Sequence, residues 1–138
     1  MNPSLPRKQS GVMLLEALIG LLIFSIGILA LLGMQATAMR ATIDAKYRSE
    51  AAFFANEIIG TMWVDRANLT QYATAACAGH PDCNNWLVRV QARLPNATGA
   101  NAPTIVIAGQ QATVTILWQR PGDSQISQHV AVAQINNS

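Results

Sequence analysis

Polar positions vanish from the early part of the chain and then return at intervals of three and four. No charged side chain occurs over residues 17–39, and Leu, Ile, Gly and Ala dominate as far as Met34. At about 1.5 Å rise per residue, roughly 20 apolar residues cover a hydrocarbon core of about 30 Å, so this run predicts a transmembrane helix. Past it, Met39, Ile43, Tyr47, Ala51, Phe54, Ile58 and Met62 form one apolar stripe of a helix. Arg40, Asp44, Arg48, Glu50, Asn56 and Glu57 lie off that stripe. Asp44 and Arg48, like Lys46 and Glu50, are spaced for weak surface pairing. No proline stands between Pro6 and Pro81. One helix over residues 12–64, about 80 Å long, is therefore permitted, with residues 12–38 spanning a membrane and 39–64 amphipathic.

The texture then changes. "DRANLTQYATAACAGHPDCNNW" is rich in Ala, Asn, Thr and Gly and reads as loop. In "WLVRVQARL" the period switches to two: Trp86, Val88, Val90, Ala92 and Leu94 alternate with Arg89, Gln91 and Arg93, which predicts a half-buried strand. Residues 95–103 read as a polar loop. "TIVIAGQQATVTILWQR" predicts a short strand before Gly109 and a longer one after it, with Val114, Ile116 and Trp118 inward. "PGDS" is a turn, and residues 125–135 alternate again. Three or four antiparallel strands laid on the amphipathic half of the helix give an α+β fold, with residues 65–138 as a globular β-sheet head.

Composition supports an anchored domain. The 138 residues are 51% hydrophobic and only 12% charged, unusual for a wholly soluble domain. Net charge is +2, and without Arg7 and Lys8 seven residues of each sign remain. No basic patch is left to bind nucleic acid. His80 and His129 belong to no nucleophile or metal motif, and no phosphate loop or paired-carboxylate site occurs. The reading is of a protein with no catalytic residues, no cofactor and no metal. Cys77 and Cys83 predict a local disulfide in an oxidising compartment, a ring contributing roughly 2–3 kcal/mol in the loop-entropy model. A metal site from Cys77, His80, Asp82 and Cys83 is the competing arrangement, disfavoured because thiols there oxidise.

The remaining feature is a carboxylate, Glu16, at the threshold of the apolar run, preceded by Arg7, Lys8 and Gly11. A secretory signal is cut after its apolar region, beside small residues. Here the candidate cut, between Gly11 and Val12, comes before it. The stretch "GVMLLEA" resembles the prepilin peptidase motif of the type IV pilin-like family: glycine before the cut, an apolar first residue, and glutamate fifth in the mature chain. "NEIIGTMWVDRANLTQY" extends the resemblance to the family's minor pilins over residues 11–72. Val12 and Met13 depart from the phenylalanine and threonine that many pilins place there.

What the resemblance implies is specific. Residues 1–11 are a leader, and Arg7 and Lys8 hold it in the cytoplasm. The peptidase cuts at Gly11 and N-methylates Val12. Glu16, about one turn from the new amine at the positive end of the helix dipole, pairs with the N-terminal amine of a neighbouring subunit. The fold is a pilin-like ladle. Localisation is inner membrane, with the N-terminus cytoplasmic and the head periplasmic, then extracellular pilus. The partners are other minor pilins, the major pilin, the prepilin peptidase, the inner-membrane assembly platform, a tip adhesin, and membrane lipid before assembly. The role is priming of type IV pilus assembly, with incorporation at or near the tip. The alternative is a minor pseudopilin of a type II secretion system, whose anchor begins similarly. A third class, a single-span signalling or scaffold protein, would retain residues 1–11. Gly20 and Gly27, a heptad apart, allow close helix contact, and Gly27 or Gly33 is where the resemblance places local melting of the helix in a filament.

Overall fold

The computed structural model describes residues 10–136. The first nine residues of the predicted leader lie outside them. The fold is α+β: one long N-terminal helix, two shorter helices and a three-stranded antiparallel sheet. Helix α1 runs over Ser10–Val64, close to the predicted bounds and continuous through Gly20, Gly27 and Gly33. The chain divides into two compact units, with the boundary between Ile43 and Asp44.

In the first unit every side chain from residue 11 to residue 43 is exposed, and the apolar ones point in all directions. A helix that is apolar all round belongs in a core or a membrane. Here none of the apolar window is buried, and the helix is long and apolar enough to cross a membrane. Its few hydroxyls bond back to the helix itself, Ser25 Oγ donating to Leu21 O at 2.7 Å and Thr37 Oγ1 to Met34 O at 2.8 Å. Among the described side chains of this unit, Ser25, Thr37 and Thr42 all spend their hydroxyl protons within the helix.

In the second unit the end of α1 contributes Ala51, Phe54, Ala55, Ile58 and Met62 to the core, and Tyr47 packs beside them. This is the predicted stripe from Tyr47 onward; Met39 and Ile43 stay exposed. A 3-10 segment over Arg66–Tyr72, interrupted at Asn68, buries Leu69 and Tyr72. Helix α2 (Thr74–Cys77) and helix α3 (Pro81–Arg93) follow. Residues 66–93, predicted as loop and strand, are thus mostly helical.

The strand expected at residues 86–94 is the clearest correction. Trp86, Val90 and Leu94 lie four apart, a spacing that both a strand face and a helix face accept. The positions that discriminate are Val88 and Ala92, and both are exposed, whereas Cys83, three before Trp86, is fully buried. Pro81 in the first turn, Asp82 beside it and Arg93 in the last turn suit a helix and its dipole.

The sheet is β1 (Thr104–Ala108), β2 (Gln111–Trp118) and β3 (Ser127–Gln134), in that order, all antiparallel. Ala112, Val114, Ile116 and Trp118 of β2 and Ile105 of β1 face the core, as the alternation predicted for Val114, Ile116 and Trp118. Between β1 and β2, Gly109 has φ +62 at the first loop position, the sign a type II′ hairpin turn requires. The predicted pairing of Asp44 with Arg48 is replaced by a 2.9 Å contact between Asp44 and Arg120, which ties α1 to the β2–β3 turn.

Candidate assembly site

Gly11 and Val12 occupy the first turn of α1, where backbone N–H groups have no intrahelical acceptor. Both are exposed, and no atom lies within 4 Å of where a side chain on Gly11 would begin. Glu16 stands one helical turn past Val12, exposed, on the helix with apolar side chains on all sides. Among the described residues no cation pairs with it. The structure therefore brings Gly11, Val12 and Glu16 together at one end of the apolar helix.

Cys77 and Cys83 form a disulfide, with Cα atoms 5.1 Å apart, so both sulfurs are committed and the competing metal arrangement loses its thiols. His80, between them, turns Nε2 toward Asp65 Oδ2 at 3.2 Å instead. The same carboxylate accepts from Tyr72 OH at 3.1 Å and from Asn68 Nδ2 at 2.8 Å. Chiefly through the Asn68 bond, Asp65 is held below the usual carboxylate range. Burial, reinforced by the bond to Asp65, pushes the Tyr72 hydroxyl up. This cluster closes the end of α1 onto the disulfide loop. Among the described residues no group of three or more His, Cys, Asp or Glu side chains gathers to hold a metal.

The surface around residues 86–93 is the outer side of α3 rather than a strand. Arg89 reaches across to Glu57 of α1 at 2.6 Å, and Trp86 Nε1 donates to Phe54 O at 2.8 Å. Beside them a groove of about 540 Å³ runs between the two helices, lined by Glu50, Phe53, Phe54, Arg89 and Arg93 among others. Glu50 Oε2 is buried without a hydrogen-bond partner, and Phe53 is 63% exposed against 7% for Phe54. Sequence reasoning passed over Phe53, although adjacent helical residues cannot both face one core. That rule alone marks one of the two phenylalanines as a surface side chain.

Set against protein-family models, curated proteins and solved structures, the chain matches none of them.

Proposed function

We propose that this chain is a minor pilin of the kind called PilV, or type IV pilus modification protein, with a pilin-like fold. It is made as a prepilin in the inner membrane, cut between Gly11 and Val12 and N-methylated at Val12. It then helps prime the filament and is incorporated at or near the tip. The observation that carries this reading is the placement of Glu16, one turn past the expected new N-terminus on a helix apolar all round, with no cation paired to it among the described residues. An ionised group at membrane depth is costly and calls for a partner. The amine of Val12 on a neighbouring subunit has the opposite charge and becomes available only through cleavage.

In this mechanism no bond is made or broken by the protein itself. Residues 12–38 pass from bilayer to filament core, Glu16 and the Val12 amine align neighbouring subunits, and the head selects which minor pilins, major pilin or adhesin come next. Mass spectrometry of filaments sheared from the native cells tests it. The expected result is a methylated peptide beginning at Val12, with head peptides in small amount beside the major pilin. Glu16→Ala is expected to be cleaved normally yet missing from filaments. Mature chain found only in membranes would favour the type II secretion pseudopilin, and a chain retaining residues 1–11 would overturn both.

A further inference from the structure

Strand β3 has an open side. Among the described residues its only strand neighbour is β2. The N–H of Ile135 donates to Gln110 O at 2.7 Å, one step beyond the Gln111–Gln134 pair, and so fixes the phase of the ladder. Hydrogen-bonded and non-hydrogen-bonded pairs alternate along antiparallel strands. The odd-numbered residues of β3 therefore bond to β2, while Gln128, Val130, Val132 and Gln134 turn their main-chain N–H and C=O toward the open side.

Native sheet edges are usually guarded by charge, proline or a bulge. "SQHVAVAQ" contains no Lys, Arg, Asp, Glu or Pro, and its register with β2 is unbroken over all eight residues. The same four outward-bonding residues are exposed through their side chains, Val130 at 48% and Val132 at 56%. Val132 continues a row across the sheet through Thr113 to Val106, itself exposed.

The strand also reads almost alike in both directions about Ala131: Val130 and Val132 flank it, then Ala or His, then Gln128 and Gln134. We infer that the β3 edge is a pairing surface for a second copy of this chain, the two β3 strands running antiparallel about a two-fold axis at Ala131. In that register Val130 meets Val132 of the second copy and Gln128 meets its Gln134. Each is a hydrogen-bonded pair, because these are the residues whose main chain points outward. About eight main-chain hydrogen bonds form, two per pair. Shifting by two residues instead sets Val132 against Gln128 or Val130 against Gln134. The chosen register also joins the row Val106, Thr113 and Val132 to Val130, Thr115 and Thr104 of the second copy. Charge matching is satisfied by neutrality: no like charges meet across the seam, whereas a charged partner strand would find no counter-charge. The interface is isologous and closes on itself. It does not depend on the pilin reading and stands or falls by its own test.

The test is sedimentation of the full chain in detergent micelles. The wild type is expected to dimerise reversibly. The double variant V130K/V132K places lysine opposite lysine and is expected to raise the dimer Kd by about tenfold or more, with unchanged circular dichroism. Neither replaced side chain is buried and neither main-chain group serves β2. Ala131→Cys, at the axis, is expected to cross-link into dimers on oxidation, while Val106→Cys on the far strand is not. A wild type that stays monomeric throughout, or a dimer undiminished in the lysine variant and so held elsewhere, overturns the proposal.

Discussion

Trp86 and Trp118 are each 1% exposed, yet their indole N–H groups meet different fates. Trp86 donates to Phe54 O, and Trp118 Nε1 is buried without an acceptor. An unpaired buried donor costs about 1–3 kcal/mol, so Trp118 already carries a loss that Trp86 avoids. Replacing either by phenylalanine removes similar apolar area, but only at residue 86 does it remove a made bond. Trp86→Phe is expected to lower stability about 1–2 kcal/mol more than Trp118→Phe, read by chemical denaturation of the full chain in detergent. Equal losses would mean that the bond joining α3 to α1 contributes nothing net.

Helix α3 depends on what holds its start. A helix of 13 residues is marginal alone, and this one is pinned by the disulfide at Cys83 and by Trp86. Replacing both cysteines by serine is expected to cost about 2–3 kcal/mol. The loss should show first as faster amide exchange over α2 and the first turn of α3, ahead of β2; uniform exchange across the second unit would refute a local role. The same element shows where sequence reading stops. Residues 17–39 and the alternation of β2 each match only one template, so α1 and the sheet were legible. Trp86, Val90 and Leu94 match two templates, and only tertiary packing, which buries Cys83 and exposes Val88, decides between them. The expectation placed on Gly11, Val12 and Glu16 rests on local order along the chain, to which the structure adds that all three are exposed at the start of α1. The open edge of β3 was not, because it depends on which strand has no neighbour, a property of the sheet and not of any segment.

For the molecule as a whole, two carboxylates close the second unit at separate places. Asp65 joins the end of α1 to the disulfide loop, and Asp123 binds Arg120, which also holds Asp44. Both acids titrate lower than usual, Asp65 through Asn68 first and Asp123 through Arg120 first. A depressed acid contributes stability that is present above its unfolded pKa, here 3.8, and is lost as pH falls through the folded value. Tyr72 is raised, so its contribution is present below its unfolded pKa of 10.0 and lost as pH climbs past it. The full chain in detergent should therefore show a plateau in melting temperature between about pH 5 and pH 10, with a fall on each side. Asp65→Asn is expected to flatten the acid limb and, by removing the charge beside Tyr72, to soften the alkaline one. Tyr72→Phe should flatten the alkaline limb most, leaving the acid limb to Asp123 and the remaining Asn68 and His80 contacts of Asp65. If Asp65→Asn leaves both limbs unchanged, the Asp65 cluster is not what closes α1 onto the disulfide loop, and acid sensitivity must come from the Arg120–Asp123 turn.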